Sequence, residues 1–433
     1  MGLWEFVWFL DNHALRASFI YHLGTSPTVH PVDDLRGSTS KKLEGRIIVL
    51  AVTGSIAAVE CVHLARELAR NGARVIATMT EAATRILHPD AMWFATGEPP
   101  ILRLTGDVEH VRWMGDRKDR ADLLLVAPAT ANTIGKMAHA IDDSPVTTFA
   151  TTALGTGVPV LVAPAMHGSM WRHEGVLRNI QRLEEMGVDI VRPREEEKKA
   201  KLADMETIVA HCARALAPDG PLKGQRVVII AGSTEEPLDR VRLISNRSSG
   251  GLGRALAEEA FVRGADVTTL LGRHEVPQPS YIEVIPFTNV DSLIRVSEHM
   301  PKDTAVILSV AAIADFRMKA PMRGKLSSGM EKLELSLEPA PKVLPILRSI
   351  APDATLVAFK LEVGLSDGQL VEVARSRLGR GAEDLVVAND LERVTAENHP
   401  AIIVTRRGEP TSFIGPKTDL AAAIFDAVEA ARG

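Results

Sequence analysis

The chain alternates between two hydrophobic patterns over most of its length. Short, almost continuously apolar runs rich in Val, Ile and Leu occupy 46–53, 74–79, 122–127, 158–163, 226–230 and 304–309. Amphipathic stretches lie between them. In one, Cys61, Leu64, Ala65 and Leu68 share a face while Glu60, Glu67 and Arg70 lie elsewhere; in another, Leu252, Leu256 and Ala260 share a face. Strands apolar at every position are buried on both sides, and their alternation with helices predicts an α/β fold of two Rossmann-like or flavodoxin-like domains with mainly parallel sheets. In such sheets the ligand loops gather at the carboxyl ends of the strands.

The Pro/Gly-containing stretch APDGPLKG divides the pattern, giving one domain over 30–217, a linker at 218–224 and a second domain over 225–433. Residues 1–29 are set apart as an extension expected to be poorly ordered. Their first apolar run falls short of the ~20 residues that span a bilayer, and no basic start or small-residue cleavage site accompanies it. A formal net charge of −5 leaves no basic footprint for nucleic acid. The two cysteines, Cys61 and Cys212, are too few for a disulfide scaffold or a cysteine metal site, and they suit a reducing cytoplasm.

The candidate chemistry falls at the predicted strand ends. In the second half the run 226–230 leads into AGSTEEPLDRVRLISNRSSGGLG, which holds two small-residue clusters, Gly232-Ser233-Thr234 and Ser248-Ser249-Gly250. Small residues between a buried strand and a helix let backbone N–H groups approach an anion. Arg242 and Asn246 between the clusters suit a carboxylate or an acyl-phosphate. This segment closely resembles the opening of phosphopantothenate–cysteine ligases. Further along, the resemblance assigns Ala311, Ala312 and Asp315 of AAIAD to the nucleotide, with Phe359 and Arg377 as additional contacts. Lys325 of RGKLSS then corresponds to a catalytic lysine beside Arg242 and Asn246. Bacterial ligases carry lysines at the positions of Arg377 and Gly381; here Arg377 keeps the charge with a different geometry, and Arg380 stands nearby.

In the first half the sequence markers are TGSIA at 53–57, MTEAAT at 79–84, PATANT at 128–133 and PAMHGSMW at 164–171. They resemble the flavin-binding decarboxylases that include phosphopantothenoylcysteine decarboxylase. The resemblance implies an FMN site built from Gly54, Ser55, Ile56, Thr80, Ala129, Thr130, Asn132 and Thr133, with Thr130 also expected to cap a helix. Asn132, His167 and Met170 would meet the substrate, and His110 of VEHVRW would be the base. A flavin suits this substrate because its amine is already acylated and cannot form a Schiff base to hold a carbanion. Two departures stand out. His167 replaces an Asn, and the clamp segment PREEEKKAKLAD at 193–204 lacks the reactive cysteine of bacterial relatives, leaving Lys199 and Lys201 as candidate substitutes or as a solvated charge run.

Together the two resemblances imply a fused enzyme of coenzyme A synthesis, using 4'-phosphopantothenate, cysteine and a nucleoside triphosphate, CTP ahead of ATP. Magnesium would be held by phosphate oxygens and water, with no metal-ligating residues assigned in the chain. Trimeric decarboxylases and dimeric ligases combine into a closed homo-oligomer, a dodecamer. The alternatives are an active ligase carrying a non-catalytic, regulatory flavin-binding half, and a pair of dehydrogenase domains. The second is weak, since no GxGxxG with a suitably spaced acidic residue opens either half.

Overall fold

The computed structural model describes residues 30–197, 199–320, 324–325, 333–379, 381–395 and 397–432. The expectations for 1–29 and for Arg380 lie outside them. In chain order, the strands of the first half are β1 (Ile47–Val52), β2 (Arg74–Met79), β3 (Leu123–Ala129), β4 (Val160–Pro164), β5 (Met166–His167), β6 (Asp189–Ile190), β7 (Arg194–Glu196) and β8 (Lys199–Lys201). Those of the second half are β9 (Arg226–Ala231), β10 (Glu235–Pro237), β11 (Leu243–Ser245), β12 (Asp266–Leu271), β13 (Glu283–Pro286), β14 (Val306–Ser309), β15 (Phe316–Met318), β16 (Leu337–Pro339), β17 (Thr355–Glu362), β18 (Leu385–Asp390), β19 (Ala401–Thr405) and β20 (Thr411–Phe413).

The first sheet has the order β2-β1-β3-β4-β6, all parallel. The second runs β13-β12-β9-β14-β17-β18-β19-β20, parallel as far as β18, with β19 and β20 added antiparallel at one edge. Apolar residues at nearly every position of the central strands serve both faces. In β1, Ile48, Leu50 and Val52 enter one core while Val49 and Ala51 enter another. In β9, Val227, Ile229 and Ala231 enter one core while Val228 and Ile230 enter a second. The mainly parallel α/β architecture expected from the sequence is the one observed.

The halves are tied rather than loosely strung. The stretch 218–224 is a tight turn: Leu222 is fully buried in the second domain's core, and Gly224 N donates to Gly264 O at 3.0 Å. The last helix of the first half, Met205–Leu216, lies against Gly251–Val262 of the second. At one end Arg254 pairs with Glu206, and Ser280 Oγ donates to Asp204 at 2.8 Å. At the other, Arg214 donates to the carbonyls of Phe261, Gly264 and Ala265 at 2.7–3.0 Å. Arg214 thus caps the C-terminus of a helix in the other domain, where a cation is favoured.

Candidate functional sites

Glycine and short hydroxyl side chains shape the carboxyl edge of the first sheet. β1 is followed by Thr53, whose Oγ1 donates to Pro128 O at 2.5 Å and accepts from Thr130 N at 3.1 Å, fixing the turn after β3 against the turn after β1. Thr130 caps the helix Ala131–Ala138 by accepting from Thr133 N, and Thr80 caps its own short helix by accepting from Ala83 N. Ser55 Oγ donates to Ala165 O and accepts from Ala57 N, which ties the first turn to the one after β4. Gly54 has no room for a side chain: a Cβ there would stand 2.5 Å from Ala82 Cβ. Four strand ends are thereby drawn together. Asn132 is exposed at the start of its helix, Ala129 and Thr133 are buried, and Ile56 (77% exposed) and Met170 (47% exposed) present apolar surface to solvent.

His110 lies in the helix Glu109–Met114, half-buried, with a buried Nδ1 that has no hydrogen-bond partner. An orphaned ring nitrogen is costly unless something else meets it. His167 has a local partner: its Nδ1 accepts from Ser169 N at 3.3 Å and lies 2.9 Å from Ser169 Oγ, capping Gly168–Trp171. β5, which carries His167, pairs with β8, and β8 with β7. The clamp segment is therefore a hairpin laid beside the PAMHGSMW turn. Lys201 on it is paired with Glu196 at 3.0 Å and Glu197 at 3.4 Å, and Lys199 lies 3.8 Å from Glu197. Neither cysteine is near in sequence or available. Cys61 is buried with its thiol against Ala127 O, Cys212 is fully buried, and burial pushes both thiols well above the usual range.

In the second half, much of the small-residue chemistry goes into the scaffold. Gly232 takes a positive φ of 81°, with Arg273 O only 2.6 Å from where a Cβ would lie. Ser233 exchanges backbone hydrogen bonds with Arg273, and Ala312 N donates to Gly232 O. Thr234 Oγ1 accepts from Ala314 N at 2.9 Å. Asp239 is buried and accepts from the backbone N–H groups of Val241 and Arg242 and from the Arg242 guanidinium at 2.8 Å, holding that arginine at the tip of the β10–β11 hairpin. Asn246 Nδ2 reaches Ile313 O at 3.4 Å, and Arg240 N donates to Gly324 O at 3.3 Å. The segments that carry the Ala311–Ala312 turn and exposed Lys325 thus each contact the hairpin segment that carries Arg242 and Asn246. Asp315 follows Ala312 closely, exposed and paired with Lys342 at 2.6 Å. Half-buried Phe359 lies on β17. Ser248 is half-buried, and Ser249 and Gly250 (φ 78°) lead into Gly251–Val262.

Arg377 is not brought to this group. It sits in the last turn of Asp367–Leu378, donating to Glu383 at 2.9 Å, and Glu383 is buried just before β18 begins. That is the amino edge of the sheet. Asn389-Asp390 ends an apolar strand, and Asp390 organises the turn after β18 by accepting from Gly364 N and Glu392 N.

Comparison with known proteins finds two family models along the chain. The Flavoprotein family model matches residues 36–217, and the model for the DNA/pantothenate metabolism flavoprotein C-terminal domain matches 222–431. The coenzyme A biosynthesis bifunctional protein CoaBC of Thermococcus kodakarensis is 45% identical over 93% of this chain and 99% of its own length. The chain belongs to the CoaBC family. The corresponding protein of Methanocaldococcus jannaschii is 35% identical over 93% of this chain and 98% of its own. The chain is also similar to the solved DNA/pantothenate metabolism flavoprotein of Streptococcus pneumoniae, at 25% identity and a TM-score of 0.44 over 48% of this chain and 99% of that one. The chain is accordingly a bifunctional enzyme of coenzyme A biosynthesis, with a flavoprotein decarboxylase half and a ligase half. Among the described residues no helix is long and apolar enough to cross a membrane.

Proposed function

We propose that the C-terminal half joins cysteine to 4'-phosphopantothenate with CTP as the nucleotide, and that the N-terminal half uses FMN to decarboxylate the product to 4'-phosphopantetheine. The observation that carries the ligase reading is the convergence of Arg242, Asn246, the Ala311–Ala312 turn and the Gly324–Lys325 segment at one edge of the second sheet. The substrate carboxylate attacks the α-phosphate of the nucleotide, pyrophosphate leaves, and the cysteine amine then attacks the acyl-nucleotidylate. Arg242, Asn246 and Lys325 stabilise the charge that develops on acyl and phosphoryl oxygens. Asp315 and Phe359 hold the base, and Ser248, Ser249 and Gly250 face the phosphates. Magnesium accompanies the triphosphate through its oxygens.

The first site fits a flavin by its own construction: a glycine cradle that no side chain can fill, capped helix starts bearing hydroxyls, and exposed apolar Ile56 beside them. Bound FMN supplies a reversible two-electron sink that lets CO2 leave from an acylated cysteine. Gly54, Ser55, Thr80, Thr130, Asn132 and Thr133 hold it, and His110 takes the thiol proton. Asn132, His167 and Met170 orient the substrate carboxylate and tail. The exposed apolar residues Ile56, Val59, Phe94 and Met170 of this half support a homo-oligomer, a dodecamer in this reading.

One observation favours the rival of a flavin-binding half without catalysis: the clamp hairpin carries paired lysines and no thiol. Incubation with 4'-phosphopantothenate, cysteine, magnesium and either CTP or ATP, followed by mass spectrometry, separates the readings. Phosphopantetheine formed with CTP is the expected result. Phosphopantothenoylcysteine accumulating on a yellow protein would support the rival, and no product with either nucleotide would overturn both.

A further inference from the structure

Parallel topology fixes which cations reach the carboxyl edge of the ligase sheet. The helix Asp367–Leu378 follows β17 and returns to start β18, so Arg377 ends at the amino edge on Glu383. The helix Lys417–Arg432 runs the same way along the sheet but begins with a cation. Its last residue, Arg432, donates to Ala305 O just ahead of β14, so its first residue, Lys417, stands at the carboxyl edge. There it meets the start of Gly251–Val262. A methyl group built on Gly251 would lie 3.4 Å from Lys417 Nζ and 3.4 Å from Ser249 Oγ. The ammonium and the serine hydroxyl therefore flank one small space over a glycine.

Lys417 is half-buried and pairs with no carboxylate among the described residues. Its neighbour His399 offers no negative charge either. Burial first, and the Lys417 charge second, hold that imidazole down to about 4. His399 Nδ1 is buried without a partner, while its Nε2 lies 3.4 Å from Asn389 Nδ2. Lys417 thus heads its own helix and stands beside the start of another, where both dipoles oppose a cation. The first-turn amides of Leu252 and Gly253 have no preceding helical turn to bond. Ammonium, hydroxyl and first-turn amides are thus gathered at the start of one helix.

We propose that Lys417 is a phosphate-binding residue of the ligase, acting with Ser249 and the first amides of Gly251–Val262. The group it takes is a phosphate dianion, either the polyphosphate of the nucleotide or the phosphate monoester of the acid substrate. This rests on the ligase reading above and supplies the cation that Arg377, turned to the opposite edge, does not.

The test uses the full chain as wild type, K417M and K417R, with steady-state ligation kinetics in which nucleotide, 4'-phosphopantothenate and cysteine are varied in turn. Inorganic pyrophosphate serves as a competitive probe, and thermal melting checks the fold. K417M is expected to raise KM for one phosphate-bearing substrate about tenfold or more, the loss of one charged hydrogen bond. KM for cysteine stays unchanged, and K417R recovers most of the loss. A raised nucleotide KM with weaker pyrophosphate inhibition assigns the polyphosphate; a raised 4'-phosphopantothenate KM with unchanged pyrophosphate inhibition assigns the monoester. Unchanged KM values for both phosphate substrates overturn the proposal, as does an equal loss for all three substrates that K417R does not rescue. Should K417M not fold, K417Q takes its place on the same criteria. A wild type that forms no phosphopantothenoylcysteine with any nucleotide overturns the ligase reading itself, and this proposal with it.

Discussion

Replacing Gly54 by alanine tests the first site through a single methyl group. The new Cβ would lie 2.5 Å from Ala82 Cβ, with the Ala82 carbonyl carbon at 3.2 Å and its Cα at 3.4 Å. Carbon atoms prefer roughly 3.5–4.0 Å, so one side must give by about 1 Å. Neither side is free to move. The turn of Ala82 is held by Thr80 N on Val52 O at 3.0 Å and by the Thr80 cap on Ala83 N, while the Gly54 turn is held by Ser55 on Ala165 O. Overpacking of this kind costs about 1–3 kcal/mol. Both turns carry proposed flavin contacts, so displacement of either should weaken FMN binding by about 5- to 150-fold if the whole cost appears there. The assay is fluorescence titration of FMN into deflavinated protein, with a thermal melt alongside. The double variant G54A/A82G removes the atom at 2.5 Å and leaves backbone at 3.2 Å, so it should recover much of the lost affinity. If G54A binds FMN like the wild type and melts at the same temperature, the cradle argument fails. If G54A/A82G is as weak as G54A, the clash is not the cause.

Three further outcomes are expected. His110→Asn should slow CO2 release by about 10²- to 10⁴-fold while FMN stays bound and phosphopantothenoylcysteine accumulates; normal CO2 release would remove His110 as the base. His211, packed edge-on to Phe261 with ring centroids 5.1 Å apart, is held down to about 4 by burial and then by the Arg214 charge, so the unfolded chain binds the extra proton between about pH 6.5 and 4. Stability should therefore fall with acid across that window, by on the order of 3 kcal/mol from this residue. His399 adds a slope of the same sign, and His211→Leu should remove about half of the combined effect in urea melts. Arg214→Met strips a cation from three carbonyls and should destabilise the chain by about 3 kcal/mol, read as a lower denaturant midpoint; an unchanged midpoint would show the cap to be idle.

Much of this organisation is legible in the residues because the central strands are apolar at nearly every position. Only a strand buried on both faces asks for that, and such strands joined by amphipathic helices imply one kind of sheet. The strand ends then announced the loops that carry chemistry. Other features were hidden for definite reasons. Serine and threonine in a small-residue loop look alike in sequence whether they face a ligand or brace the turn. Here Ser233 and Thr234 brace it through Arg273, Ala312 and Ala314. The clamp looks like a charge run because its strand character comes from pairing with β5, a long-range contact that local pattern does not carry. Arg377 shows the opposite failure. Motif register placed it in the nucleotide site, whereas connectivity sends the end of a crossover helix to the amino edge, a step available once β17 and β18 are taken as parallel neighbours.

The contact between the halves adds a constraint that neither sheet carries alone. The helix Gly251–Val262 begins at the proposed phosphate loop and ends on Arg214, so its axial position is set by a residue of the flavoprotein half. Its first turn is held from that half too, through Arg254 on Glu206. Loop 272–280 makes the same link: Glu275 and Val276 donate to Ser249 O, while Ser280 reaches Asp204, the cap of Met205–Leu216 that follows the clamp hairpin. Severing the chain at 218–224 would therefore expose a helix whose two ends are both tied from the partner domain. A ligase half expressed alone should lose stability and phosphate affinity together, and adding back the flavoprotein half should restore both. If the isolated half ligates with unchanged KM values and an unchanged melt, the cross-domain tethers do not hold that helix in place.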